Sequence, residues 1–344
     1  MNNYRPLLKI FSRILLLSLI IILSVIAGSR EVGSDNDSVM YATIVQNSVN
    51  GVYNLLQKEP GFWLIVYLNN LLAGGSIASF FFVYSFIALC LCFYGIKKTS
   101  PSPIISIIMY LAFFFIVHEM MQIRIAFAAG FIYLTFFYLV VERKKTSIFI
   151  SAVAVLFHYS TIISFIFFFI KPRNIITKKF LVLPVIGAIF GFAINSNQSI
   201  SQAFFDMMPS FLSYKATLYF ALNSEGSLTR VSAVVMGFGS LIYYSLLVFM
   251  YGRIKGKDLE NVYYRSLNLL LKITSIQLFL GFILIFNVEF SNRIFTYIGV
   301  LTFPLLPAFF IKEFSARSRV IVFVPIAIYA IRQFYTSYNS VFMG

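Results

Sequence analysis

The chain has 344 residues, of which 60% are hydrophobic and 11% charged, and its net charge at pH 7 is +15. This composition excludes a soluble domain. The basic residues form short clusters between apolar runs, which is the positive-inside pattern of membrane proteins and not the basic stripe of a nucleic-acid-binding protein. Because a bilayer core of about 30 Å needs roughly 20 apolar residues per helix, we predict an all-α, polytopic integral membrane protein.

The apolar runs predict about 11 membrane helices in a single transmembrane domain, 1–344. The first run, 10–27, resembles a signal peptide but is long enough to be a retained anchor, with the N-terminus in the cytoplasm. Two long segments, 28–75 and 195–230, are then external, and 62–72 is apolar enough to enter the membrane interface. The remaining spans keep every basic cluster cytoplasmic and are 76–96, 103–117, 124–141, 180–194, 231–252, 265–287, 294–311 and 320–336.

The segment 146–170 is flanked by basic clusters at both ends, so one crossing would leave one cluster on the wrong side. We predict two short helices that meet at His158, each about 18 Å long and too short to cross the bilayer. Their tip would lie in a protein-lined recess below the outer surface. The alternative is one long span, in which a neutral His158 is hydrogen-bonded to a neighbouring helix.

Three arginines, Arg30, Arg124 and Arg293, are predicted at the outer ends of helices. A guanidinium is permanently charged and its planar fork of donors suits phosphate, so together they would form an electropositive patch for a diphosphate. Glu119 lies five residues before Arg124, a poor spacing for a helical ion pair, and Arg124 is therefore expected to be free to point into the recess. Snorkelling to the surface is the alternative for each arginine.

Acidic residues and histidines also gather on the predicted outer side. Asp35-Asn36-Asp37 has a D-x-D spacing that could hold a divalent cation, or it could be a turn or helix N-cap. Glu59 precedes Pro60 at a predicted helix start, with a functional carboxylate as the alternative. His118 and His158 are the two histidines; a neutral imidazole can take a proton from a sugar hydroxyl. Metal-ligand spacing is absent, so no metal site is predicted.

In the order of five short motifs the chain resembles the EpsG-like, or Wzy-type, family of bacterial polysaccharide-repeat-unit polymerases. These motifs are Arg30-x-x-Gly33-x-Asp35, Glu59-Pro60-Gly61-Phe62, Gln122-Ile123-Arg124 at a helix start, Phe157-His158-x-Ser160, and Arg293 before a late helix. Two positions depart from the family pattern. Ile125 stands where a glutamine is frequent, and the tyrosine that follows the Gly-x-Asp motif is displaced to Tyr41.

The resemblance implies a fold like that of the GT-C lipid-sugar glycosyltransferases. It also implies a place in the bacterial cytoplasmic membrane, with the active face outside. The reaction would transfer an undecaprenyl-diphosphate-linked glycan onto the next lipid-linked repeat unit of an O-antigen or exopolysaccharide. No nucleotide sugar or other cofactor is needed, and the chain has no Gly-rich phosphate loop. A flippase and a chain-length regulator are the protein partners that it implies, beside the lipid bilayer.

The resemblance also implies roles for single residues. Arg124, Arg293 and Arg30 would bind the diphosphate and stabilise its charge as it leaves. His158, with Glu119 as the second choice, would deprotonate the acceptor hydroxyl. The expected sugar-binding residues are Asp35 and Glu59, which would orient hydroxyl groups, and Trp63 and Tyr67, which would stack on sugar faces.

Three other functions stay open at this point. The first is a related enzyme, an O-antigen ligase or a metal-dependent GT-C transferase that uses Asp35 and Asp37. The second is a flippase for lipid-linked oligosaccharide, which would need a polar path through the whole bilayer. Lys272 is the main charge predicted at mid-membrane depth, whereas most others gather on one side. The third is a structural partner of an assembly complex.

Overall fold

The computed structural model describes residues 4–53, 58–195, 228–283 and 288–342, and these residues form helices with no strand among them. Within this part of the chain, four helices are long and apolar enough to cross a membrane. The predicted all-α membrane protein is thereby confirmed, while the number of about 11 spans and the GT-C-like arrangement stay predictions. The four helices are Ile77–Thr99, Pro103–Met121, Ile123–Val140 and Val262–Ile283.

The first third of the chain forms α1 (Tyr4–Gly28), α2 (Asn36–Val49), α3 (Pro60–Ala73) and α4 (Ile77–Thr99). The predicted external segment 28–75 therefore holds two short helices. Proline occupies the first turn of α3, where its missing N–H costs no hydrogen bond. Gly74 ends α3 in the left-handed conformation that glycine adopts without strain. Of the other predicted external segment, residues 196–227 lie outside the described part.

The next membrane helix changes its winding halfway. Its first part, α5 (Pro103–Tyr110), continues as a π-helix (Leu111–Met121), and a single residue, Gln122, separates it from α6 (Ile123–Val140). Two glycines allow α6 to lie directly against α4. A Cβ added at Gly95 would collide with Tyr133, and one added at Gly130 would collide with Leu91. Such small residues allow close helix packing within membranes.

The segment after α6 breaks where the sequence predicts it. The helix α7 (Lys144–Phe157) ends at His158, whose backbone is extended, with φ −157° and ψ 113°. A 3₁₀-helix, Tyr159–Phe169, follows. At 1.5 Å per residue α7 is about 21 Å long, less than the hydrocarbon thickness. Two short helices that meet at His158 are thereby confirmed, and the alternative of one long span is wrong.

The rest of the chain forms α8 (Lys178–Asn195) and four further helices, Leu228–Ile254, Val262–Ile283, Val288–Glu313 and Ala316–Phe342. The helix Val262–Ile283 fastens the loop that follows the 3₁₀-helix. The buried ammonium of Lys272 donates a 2.8 Å hydrogen bond to the carbonyl of Lys171 and another to the carbonyl of Asn174. The side-chain amide of Asn268 donates hydrogen bonds to the carbonyls of Pro172 and Asn174. The charge of Lys272 thus stabilises the loop that contains Lys171 and Asn174.

Candidate functional site

The carboxylate of Glu59 lies between an imidazole and a guanidinium. One oxygen is 3.1 Å from Nδ1 of His158 and accepts a 3.4 Å bond from the backbone N–H of Tyr159. The other oxygen forms an ion pair with Arg124. Glu59 itself is only 3% exposed. Three segments that are distant in the chain therefore meet at one buried carboxylate: the start of α3, the break after α7 and the start of α6.

The local sequence explains why Glu59 is available for this role. As the residue before Pro60 it is extended, with φ −65° and ψ 152°, and its side chain does not cap its own helix. Gly61 then lets the start of α3 touch the end of α7. A Cβ at this position would lie 2.7 Å from the ring of Phe157 and 2.8 Å from the carbonyl oxygen of Leu156. Any larger residue at Gly61 would push Glu59 away from His158.

The ionisation state of Glu59 follows from its neighbours. Burial by itself would raise its pKa, but the hydrogen bond with His158 and the charge of Arg124 outweigh burial and lower the pKa to about 2. Glu59 is therefore an anion at neutral pH. When the Nδ1–H of His158 donates to this anion, the lone pair of the neutral imidazole is on Nε2. This is the tautomer that a histidine base needs.

Arg124 has two partners rather than none. Its Nη1 donates a hydrogen bond to the carboxylate of Glu59, and its Nε donates a 3.3 Å hydrogen bond to the hydroxyl of Tyr41. The side chain of Arg124 is 19% exposed. The expectation that Arg124 is free is thus wrong, because its ion-pair partner lies 65 residues away rather than on its own helix. Burial raises the pKa of Tyr41 to about 12, although Arg124 opposes the shift, so this phenol stays neutral. Tyr41 is the tyrosine displaced from the family pattern.

Lys58 belongs to the same cluster, and the sequence reasoning missed it. Its half-buried ammonium lies 3.1 Å from the sulfur of Met40 and 5.8 Å from the centre of the Tyr41 ring. Burial and then repulsion by Arg124 lower its pKa to about 8, despite the opposing charges of Glu59 and Asp37. The one available signal was its position beside the Glu59-Pro60 motif. With Lys58 and Arg124, the cluster holds two cations around the carboxylate of Glu59.

Arg30 and Asp35 form a second, fully enclosed pair. Arg30 Nε lies 3.8 Å from Asp35 Oδ2, and neither side chain is exposed. The guanidinium stacks 3.7 Å above the Phe81 ring, and Nη1 donates 3.2 Å to the carbonyl of Glu119. Burial lowers the pKa of Arg30 to about 10 although Asp35 opposes the shift, so the cation persists at neutral pH. Arg30 therefore joins the ends of α1, α2 and the π-helix.

Asp35 caps a helix, as one of the two interpretations of the D-x-D spacing expects. Its Oδ1 accepts 2.9 Å bonds from the backbone N–H groups of Asp37 and Ser38 at the start of α2. Within the described part of the chain, no group of three His, Cys, Asp or Glu residues could hold a metal ion. The geometry of Asp35 is thus that of an N-cap.

The family comparison agrees with these motifs. The EpsG family model matches residues 13–343, nearly the whole chain. The chain belongs to the EpsG family. This membership confirms the resemblance and supports, in broad terms, a function in polysaccharide polymerisation. No curated protein and no solved structure matches the chain.

In this EpsG-family chain, Glu119 and His118 lie inside the π-helix and are fully buried. Glu119 Oε1 accepts a 2.8 Å bond from the hydroxyl of Tyr110, and its backbone carbonyl binds Arg30. The ring of His118 packs 4.7 Å from that of Phe114. Both histidines were expected at the outer face, but only His158 reaches Glu59. A buried π-helix was not foreseen, since no sequence pattern distinguishes it from an α-helix.

The remaining predicted site residues of the EpsG-family chain are Trp63, Tyr67 and Arg293. Trp63 is buried in an aromatic cluster, with ring centres 5.7 Å from Phe62 and 5.8 Å from Tyr53. Tyr67, one turn further along α3, is 57% exposed. Arg293 lies within the helix Val288–Glu313 instead of before it, because that helix begins earlier than the apolar run suggests. Its side chain falls outside the described part.

Proposed function

We propose that the chain is a polysaccharide polymerase of the EpsG type. It transfers an undecaprenyl-diphosphate-linked glycan onto a lipid-linked repeat unit at the outer face of the bacterial cytoplasmic membrane. The observation that carries this proposal is the position of Glu59 between Arg124 and His158. A cation suited to a diphosphate and a histidine suited to a sugar hydroxyl are thereby held by one carboxylate.

In the proposed reaction, His158 is the general base. The acceptor hydroxyl gives its proton to Nε2 of His158 as its oxygen bonds the anomeric carbon of the donor. Glu59 then faces a protonated imidazole, whose charge it stabilises through the Nδ1–H. The carboxylate thus orients the ring before the proton transfer and balances its charge afterwards.

Arg124 is the proposed ligand of the leaving group. As the bond between the anomeric carbon and the phosphate oxygen breaks, the electron pair goes to the diphosphate, which departs as the polyprenyl diphosphate anion. The partly exposed guanidinium of Arg124 is positioned to stabilise this charge, and Lys58 adds a second cation. Arg293 stays a proposed third ligand. Arg30 is not included, because its side chain is enclosed by protein.

The length of α7 supports a site below the membrane surface. This helix starts at the basic pair Lys144 and Lys145 and reaches His158 after about 21 Å, short of a hydrocarbon core of about 30 Å. A lipid-linked donor and a lipid-linked acceptor both carry their sugars at the surface of the leaflet. A base at this depth would therefore meet the first sugar where the diphosphate enters the recess below the surface.

The test is a reconstituted reaction with one lipid-linked repeat unit as both donor and acceptor. Wild-type protein in vesicles is expected to give a ladder of products that differ by one repeat unit, and Glu59→Gln and His158→Ala are expected to give none. Moving repeat units across the vesicle bilayer without elongation would instead identify a flippase. Transfer to another acceptor without a ladder would identify a ligase.

A further inference from the structure

The helix α3 has two different faces. One is buried against the protein and contains Phe62, Ile65, Val66 and Asn69. The other is exposed and, after Pro60, entirely apolar or aromatic. Its members are Leu64 (53% exposed), Tyr67 (57%), Leu68 (38%), Leu71 (67%) and Leu72 (80%). These positions recur at intervals of three and four residues, so they form one continuous stripe, which we call the α3 stripe.

The α3 stripe starts at the candidate site. Pro60, its first exposed residue, directly follows Glu59. Lys58 precedes Glu59, and its ammonium and the guanidinium of Arg124 lie 5.8 Å and 5.9 Å from the centre of the same Tyr41 ring. One end of the stripe is therefore cationic and the rest is apolar. From Pro60 to Leu72 the stripe is about 18 Å long at 1.5 Å per residue.

This order of charge and apolar surface matches an amphiphile with an anionic head and one long hydrocarbon chain. A diphosphate held between Lys58 and Arg124 would leave its attached chain beside Pro60, where the apolar surface begins. With 14 residues, α3 is too short to span the bilayer. Its exposed face can therefore contact lipid tails of one leaflet. Apolar contact along the stripe would stabilise the bound chain through van der Waals packing, since lipid tails offer no hydrophobic driving force of their own.

We propose that the α3 stripe binds the isoprenoid tail of the polyprenyl-diphosphate-linked donor, with the diphosphate between Lys58 and Arg124. This inference rests on the proposed function, which it deepens by assigning the lipid part of the substrate. On this proposal, α3 guides the lipid-linked donor from the bilayer to His158.

The probe is undecaprenyl diphosphate that carries a photoactivatable diazirine in its tail, added to the full-length protein in nanodiscs. The test variant combines Leu64→Ser, Leu68→Ser and Leu71→Ser. The control variant combines Val182→Ser, Ile186→Ser and Ile189→Ser on α8, which have the same spacing and are 50%, 38% and 63% exposed. Labelled peptides are located by mass spectrometry.

In the wild-type protein the label is expected on α3, and unlabelled undecaprenyl diphosphate is expected to displace it. Labelling should fall at least fivefold in the α3 variant and in Arg124→Ala but stay unchanged in the α8 variant. Label that spreads over α3 and α8 alike, or that unlabelled probe does not displace, would mean contact with bulk lipid and overturn the proposal. The wild-type map decides this even if the α3 variant fails to fold.

The proposed function and the tail site fail in different ways. Displaceable labelling of α3 in a protein that forms no glycan ladder would remove the polymerase function and keep the lipid site. A ladder formed by the α3 variant with unchanged KM for the donor would remove the tail site and keep the polymerase function.

Discussion

Oε1 of Glu59 lies 3.1 Å from Nδ1 of His158, although the two residues are 99 positions apart in the chain. The same carboxylate binds Arg124 through its other oxygen. One buried anion thus sets the orientation of an imidazole and a guanidinium together. A change at Glu59 should therefore disturb both, whereas a change at either partner should leave the other in place.

Replacing Glu59 by glutamine is expected to abolish glycan elongation and to destabilise the fold. The substitution leaves the partly exposed charge of Arg124 without its counter-ion, which costs up to about 3 kcal/mol, the value for a buried pair that loses one member. Thermal unfolding in detergent and the elongation assay measure the two effects. Glu31→Gln, at an exposed acidic residue, is the control and should change neither. Wild-type elongation by Glu59→Gln would contradict the proposed site.

The contribution of Glu59 to stability should depend on pH only under acidic conditions. Its folded-state pKa of about 2 is below the ordinary value of 4.5, so the stabilisation is complete above pH 4.5 and is lost as the pH falls towards 2. The difference in unfolding temperature between wild type and Glu59→Gln should thus not shrink from pH 7 to 4.5, where Glu59 stays an anion beside Arg124 and His158, and should shrink below pH 4.5. A difference that already shrinks between pH 7 and 5 would argue against the ion pair.

Replacing His158 by asparagine is expected to lower kcat by about 100-fold or more, the usual contribution of a general base, with little change in donor binding. Asparagine can still donate a hydrogen bond to Glu59 but cannot take up a proton. Tyr159→Phe, one residue further and 56% exposed, is the matched control. A loss that appears only in KM would assign His158 to substrate binding instead of proton transfer.

Donor binding should weaken as the pH rises through about 8. Lys58, with its pKa lowered to about 8, is charged below this pH and neutral above it, and only the charged form attracts a diphosphate. Donor affinity measured from pH 6.5 to 9.5 should therefore fall in wild type, whereas Lys58→Arg, which stays charged, should be flat. Parallel profiles for the two proteins would exclude Lys58 from the diphosphate site.

The same substitution at two arginines should have different effects. Arg124→Lys keeps a cation but loses the fork that holds Tyr41 and Glu59, so KM for the donor is expected to rise about tenfold, the size of one charge-assisted hydrogen bond. Arg30→Lys loses the stacking on Phe81 and is expected to lower the unfolding temperature with little change in KM. Equal increases in KM for the two variants would indicate that Arg30 also binds the diphosphate.

Several features follow from local sequence. The basic clusters on both sides of 146–170, together with the length of this apolar run, predict two short helices with His158 between them, and the structure confirms this break. Pro60 predicts the start of α3, and Asp35 is recognisable as a potential N-cap. These signals are readable because they depend on hydrophobic length, charge and backbone preferences within a few residues.

The partners of the candidate site depend on contacts between distant segments. From the sequence, the carboxylate that could be weighed as a partner of Arg124 was the nearby Glu119. The carboxylate that binds Arg124 is instead Glu59, at the start of α3. It can do so because Gly61 lets α3 contact α7. Arg30 and Arg124 look alike in sequence, yet packing encloses Arg30 against Phe81 and leaves Arg124 partly exposed. The sequence by itself thus determined a helical membrane protein and where its helices break. Only tertiary packing decided which charges meet, since such pairing depends on distance in space and not on position along the chain.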